Sequence, residues 1–300
     1  MSKELKGYIL GIISAFFWGT HAVIVRYLAD SVPGLVIATF RLAIASLVIS
    51  AVLKFTKTKI DIKVKDKKWF FITVLFGLCI NFIAFHIGLE YTTASSAMLL
   101  ENTSPLFVLM ILAIFFREKI TKTETLAVIT TFLGILFVTI DNSGINNLDK
   151  SMMIGDILEI VAAITWAIFI IGMSKVFAQE KNARARLSNM LKIFSVTALL
   201  LSPSLFLQSY SITNQDILLL LLLGIFPTAL AYFFWFEAAA RISTIAVALI
   251  FNLSIVFTFI NAHIFLDETL GPGMLIGALL IVFGITITKL EKKPDKEIKS

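Results

Sequence analysis

The sequence predicts an all-α membrane protein: ten transmembrane helices forming two inverted five-helix repeats, with N- and C-termini cytoplasmic. Three observations carry this expectation. Hydrophobic residues make up 58% of the 300-residue chain and charged ones only 15%, with a mean hydropathy of +0.92, far from the balance of a soluble domain. Apolar runs of roughly 20 residues, enough to cross a ~30 Å hydrocarbon layer, recur with short polar breaks between them. The stretch 93–140 also occurs a second time, without a gap, 150 residues further on at 243–290.

The ten runs are 7–28, 34–53, 69–89, 94–116, 123–140, 154–178, 187–207, 216–236, 244–266 and 272–290. Helices are expected because a lipid-facing span must satisfy its backbone hydrogen bonds internally, and no alternating ten-residue pattern suggests a barrel. The first run opens with Lys3 and Lys6 and lacks a small-residue cleavage site, so it reads as a retained helix. The longest breaks, 54–68, 141–153 and 179–186, are too short to be domains. The single cysteine, Cys79, lies inside an apolar run, which excludes an internal disulfide and argues against a thiolate metal site.

Nine of the 48 positions in the duplicated stretch coincide. In so apolar a chain the informative ones are Asn102/Asn252, Ser104/Ser254, Glu118/Glu268 and Gly134/Gly284. At an offset of 148, Gly7, Ala15 and Trp18 likewise match Gly155, Ala163 and Trp166. One unit is written twice, over residues 1–146 and 147–293, followed by a cytoplasmic tail at 294–300. Five spans is an odd number, so the second copy must enter the membrane from the opposite side.

Charge placement agrees. With the N-terminus inside, 22 of the 26 lysines and arginines fall on the cytoplasmic side, only Arg26 and Lys150 fall outside, and Arg41 and Lys192 lie within spans. That is the bias of the positive-inside rule, so the net charge of +6 reports topology and not a nucleic-acid partner. Inverted halves can rock about a site between them and expose it to either face in turn, which is the logic of an alternating-access carrier.

Several of these residues also carry a likeness to known proteins. Trp18-Gly19 in the first span, Arg41 within FRLAIA, the run ending Thr103-Ser104-Pro105, Glu118 and Glu268 closing spans four and nine, and Gly134 and Gly284 resemble the paired EamA domains of the drug/metabolite transporter superfamily. The likeness covers nearly the whole chain. It implies a ten-helix carrier with a central cavity between its halves, often an exporter of amino acids or other small metabolites.

The polar residues inside the spans are the candidate substrate-binding groups. His21, Arg41 and Glu101 each lie about seven residues from the outer end of their spans, roughly 10 Å deep, and should share one layer. A charge buried at that depth is costly and must find a partner. Either Arg41 pairs with Glu101 and locks the helices, or Arg41 meets a substrate carboxylate while Glu101 or His21 exchanges a proton. Trp18 and Trp166 should face one another across the central space. Asn81, mid-depth in span three, contacts either a helix or a ligand. Pro105 lacks a backbone donor and opposes the carbonyl of Glu101, so span four should kink there, with Asn102 and its copy Asn252 as inversion-related polar contacts. Lys192 either snorkels to the cytoplasmic edge or serves as a second anion-binding cation. Tyr232 is the member of an aromatic run expected to turn into the cavity. His86, Glu90 and Glu159 are expected near the outer rim, with Glu159 hydrated.

These residues point to a secondary carrier for a small zwitterionic or anionic metabolite in the cell membrane, with the bilayer and that substrate as partners. Protons as coupling ion are left open. The alternatives are a broad-specificity drug efflux carrier and a membrane scaffold without transport. No Walker loop supplies ATP. With three histidines on separate spans and neither HExxH nor GxSxG, neither a catalytic centre, a cofactor nor a metal is expected.

Overall fold

Short polar residues start the helices and apolar runs extend them. In the computed structural model, which describes residues 2–57, 66–117, 121–143, 150–177, 183–207, 209–239, 241–242, 250 and 253–290, no strand occurs among the described residues. Ser2 opens α1 (Lys3–Leu28) by accepting the Leu5 amide at 3.1 Å. Pro33 precedes α2 (Gly34–Phe55). Asp66 caps α3 (Lys67–Ile72), which runs through a π-helical turn, Thr73–Cys79, into α4 (Ile80–Tyr91). Thr93 caps α5 (Ala94–Glu101), and α6 (Ser104–Phe116) follows. The interruption at Asn102 and Thr103 is the break expected from Pro105. Next come α7 (Lys122–Ser143), α8 (Lys150–Phe177) and α9 (Ala183–Leu201). A capping box between Thr213 and Asp216 opens α10 (Asn214–Leu223), which passes through a second π turn, Gly224–Leu230, into α11 (Ala231–Ala239). The described chain closes with α12 (Leu253–Leu266) and α13 (Pro272–Leu290).

Seven helical stretches, Glu4–Leu28, Gly34–Phe55, Lys67–Tyr91, Ala94–Phe116, Lys150–Met173, Ala185–Phe206 and Asn214–Ala238, are long and apolar enough to cross a bilayer. Shorter apolar helices, Thr125–Val138, Leu253–Leu266 and Pro272–Gly284, fall on the fifth, ninth and tenth predicted runs. Large apolar side chains on the outer surface, among them Phe115, Leu199 and Leu279, are exposed. In water that surface would be unfavourable; in a bilayer it is the matching one. The chain is a multi-pass membrane protein.

The two repeats are visible in the backbone as well as in the sequence. Arg117 and Asp267, equivalent at the 150-residue offset, both adopt left-handed backbone, with φ of 55° and 53°, and both follow an apolar helix. The π turns, Thr73–Cys79 and Gly224–Leu230, interrupt equivalent spans. Packing follows the same exchange: α4 lies along α8 as α11 lies along α1, and α12 packs on α1 as α5 and α6 pack on α8. The pairs α2 with α9 and α7 with α13 map onto themselves. At the α7–α13 contact the duplicated glycines remove the side chain that would keep the helices apart. A Cβ on Gly134 would sit 2.8 Å from the Gly277 carbonyl oxygen, and one on Gly284 would sit 2.9 Å from that of Ala127.

Candidate functional site

At the centre of this arrangement a closed chamber is lined by residues of α1, α2, α4, α5, α8 and α11. They are Trp18, His21, Arg41, Asn81, Glu101, Trp166 and Tyr232, together with Phe82, Phe85, His86 and Met98. Seven of the ten candidate residues thus meet in one place, His21, Arg41 and Glu101 in the common layer expected from their depth and Asn81, expected at mid-depth, beside them. The free space is only about 20 Å³, close to that of one water molecule. A space of that size has no room for a metabolite.

The aromatic walls come from both repeats. Trp18 and Trp166 meet edge to face with centroids 6.4 Å apart, and Tyr232 packs edge-on against each, at 5.4 Å and 5.8 Å. The tyrosine is buried in the middle of the molecule, and Phe169 and Phe194 flank it. Aromatic walls of this kind suit apolar groups and cations.

Arg41 does not pair with Glu101. Ion pairs within 4 Å join Arg26 to Asp30, and Arg186 and Arg241 to Glu237. Instead the guanidinium turns toward the second repeat. Its Nε donates to Thr228 Oγ1 at 2.6 Å, and its carbon lies 5.1 Å from the centroid of the Phe82 ring. The π turn explains why a threonine stands there. An α-helix would pair the Leu223 carbonyl with the amide of residue 227, but Pro227 has no N–H. The Thr228 hydroxyl donates to that carbonyl at 2.7 Å and leaves its lone pairs to Arg41. Arg41 is 3% exposed, so its charge is held without an ion-pair partner beside a chamber into which a carboxylate could come.

The other polar groups are oriented by backbone. Asn81 donates from Nδ2 to the Ala162 carbonyl at 2.9 Å, fixing α4 against α8, and neighbours Glu101 in the chamber. His21 uses Nδ1 on the Trp18 carbonyl and stacks on Phe85 at 4.9 Å. His86, expected at the rim, is fully buried and lines the chamber, its Nδ1 on the Phe82 carbonyl at 2.8 Å and its Nε2 without a hydrogen-bond partner. Counting residues to the end of a span says nothing about cover, and α4 packs along α8. Glu159, expected to be hydrated, is also fully buried, at the same α4–α8 contact.

Three candidates are not brought into the chamber. Asn102 is buried but spends its Nδ2 on the Met98 carbonyl of its own helix at 2.7 Å. Lys192 is half-buried on α9 and does not line the chamber. Asn252 lies outside the described residues. Thr228, Phe82, Phe85 and Met98 carried no signal beyond being ordinary span residues. Only Pro227, one position before Thr228, marks a disturbed helix. No group of three or more His, Cys, Asp or Glu able to hold a metal occurs among the described residues.

Comparison with known proteins adds four findings. The sequence profile described as the EamA-like transporter family matches residues 5–140 and again 153–290. The chain is 27% identical over 292 residues to an uncharacterized transporter of Archaeoglobus fulgidus, covering 94% of this chain and 98% of that one. It is 30% identical over 237 residues to an uncharacterized transporter encoded in the sor 3' region of Acidianus ambivalens, covering 76% and 85% of the two chains. A solved crystal structure superposes with a TM-score of 0.67 over 96% of this chain and 97% of its own at 16% identity, a likeness of fold alone.

Proposed function

The chain belongs to the EamA-like transporter family, and from that premise we propose that it is a secondary carrier exporting small zwitterionic or anionic metabolites such as amino acids. The observation that carries this reading is Arg41, a buried cation without an ion-pair partner, held beside aromatic walls contributed by both repeats. A substrate carboxylate would take the guanidinium, its ammonium the ring faces and Glu101, and an apolar side chain the edges of Trp18 and Trp166. The free space of about 20 Å³ is too small for such a molecule, which fits a closed stage of alternating access. In this reading all ten helical stretches cross the membrane, the carrier halves are 1–146 and 147–293, and both termini are cytoplasmic. The test is purified protein in liposomes, screened for flux of labelled amino acids, nucleosides, sugar phosphates and cationic dyes. Saturable amino-acid flux supports the reading. Flux confined to cationic dyes would mean a drug efflux carrier, and no flux of any class would leave a scaffold.

A further inference from the structure

The contact between α4 and α8 is a ladder whose rungs can be read from the centre outward. Asn81 bonds the Ala162 carbonyl at the chamber. One helical turn further along α8, Glu159 lies against Gly88, where a Cβ would collide with its Oε1. One turn beyond that, Asp156 Oδ1 accepts the hydroxyls of Thr92 at 2.6 Å and Ser96 at 2.9 Å. The carboxyls at 156 and 159 therefore lead away from the layer of Glu101 at a spacing of one turn, about 4.5 Å of rise per three residues.

Glu159 differs from its neighbours in one respect. It is 0% exposed, and neither carboxyl oxygen has a hydrogen-bond partner. The charged groups that act on it are Glu101 from α5 and Asp156 on its own helix, both acidic. From α4, His86 lies one turn nearer the chamber and Glu90 is occupied with the Gly34 amide at 2.6 Å. α6 carries no titratable residue, Asp141 of α7 accepts the Met274 amide at 3.0 Å, and Arg186 on α9 is 3.7 Å from Glu237. An ionised carboxylate without donors at this depth costs several kcal/mol. A packed structure that keeps one there keeps it as the neutral acid.

We propose that Glu159 is the coupling-proton site of this carrier, holding a proton in the closed state and passing it to Glu101 on the chamber side or to Asp156 on the outer side. The proton moves between carboxyl oxygens, one carboxylate becoming the acid as the other is released. This inference rests on the carrier reading for its function, but the state of Glu159 is measurable without transport.

Infrared spectra of the purified protein in nanodiscs at neutral pH should show a neutral-carboxyl carbonyl band that E159Q lacks. A wild-type spectrum with no such band, or a band unchanged in E159Q, overturns the proposal. In liposomes an imposed proton gradient should change the wild-type flux several-fold, and in E159Q the ratio of rates with and without the gradient should fall to one. A wild-type ratio retained by E159Q, or wild-type flux indifferent to the gradient, also overturns it. Wild-type protein that moves no substrate while keeping the band would instead remove the carrier reading and with it the coupling role, leaving Glu159 only as a buried neutral acid.

Discussion

Arg41 on α2 donates its Nε hydrogen to Thr228 Oγ1 in the π turn before α11, so the central cation of one repeat is aimed by a hydroxyl of the other. A hydrogen bond to a charged group is worth about 1.5–3 kcal/mol. Thr228→Val keeps the shape, removes the acceptor and leaves the guanidinium free to turn away. We expect the substrate KM to rise about tenfold or more, with Thr228→Ser close to wild type. Equal KM values for the valine and serine variants would detach Thr228 from the site.

Arg41 itself offers a second test. Arg41→Gln should insert and fold, since an amide can still donate to Thr228, yet flux should be lost. Arg41→Lys keeps the charge but not the planar fork or the stacking over Phe82, 5.1 Å away, and should retain only a small part of the rate. Flux in proteoliposomes, read beside monodisperse elution in detergent, separates lost transport from lost fold. Normal transport by Arg41→Gln would take the residue out of the binding site.

Depth and duplication made much of this legible in the sequence, and partnership did not. Counting residues along each span brought His21, Arg41 and Glu101 to one layer, because a helix rises uniformly. The offset of 148 residues set Trp18 opposite Trp166 for the same reason. Which way a side chain turns within its layer depends on neighbours from distant spans, and so the sequence left open whether Arg41 pairs with Glu101, where the structure turns it to Thr228 and Phe82. His86 and Glu159 were read as rim residues because distance from a span end says nothing about cover. The α4–α8 packing buries both. Asn102 was read with Asn252 as a pair of inversion-related polar contacts, and the amide of Asn102 turns back to Met98 of its own helix.

The duplicated Glu268 has a structural task that can be measured. Its two carboxyl oxygens accept the amides of Ala94 at 2.8 Å and Ser95 at 3.1 Å, capping α5 from the far end of the second repeat. Loss of such a cap costs about 1 kcal/mol. Glu268→Ala should lower the thermal midpoint in detergent by a few degrees, and Glu268→Gln, which keeps one acceptor, by less. Unchanged midpoints in both would show that the α5 amides find other acceptors.

Close approach of α7 and α13 predicts a larger effect. Gly284→Leu would drive a side chain into Thr131 and the Ala127 carbonyl, where even a Cβ comes within 2.9 Å. Overpacking of this kind costs about 1–3 kcal/mol. The pseudo-equivalent Gly134→Leu should cost a similar amount, because it meets the Gly277 carbonyl from the other side of the same contact. If one variant unfolds and the other is silent, as judged by thermal unfolding in detergent, the two glycines are not equivalent in packing.

The inversion of the repeats rests on α7 crossing the bilayer. Its most apolar part, Thr125–Val138, is short. The whole helix, Lys122–Ser143, has 22 residues, or about 33 Å at 1.5 Å per residue, which matches the hydrocarbon thickness. If it crosses, five spans separate Ser2 from Lys150 and the two residues face opposite sides. Both are exposed, and the native thiol Cys79 is buried and can be removed as Cys79→Ala. An impermeant maleimide added to intact cells should label Lys150→Cys at once and Ser2→Cys only after permeabilisation, as the cytoplasmic lysine bias requires. Equal labelling of both from outside would place α7 along the membrane surface. The second repeat would then run parallel to the first, and the chamber between Trp18 and Trp166 could not open alternately to the two sides.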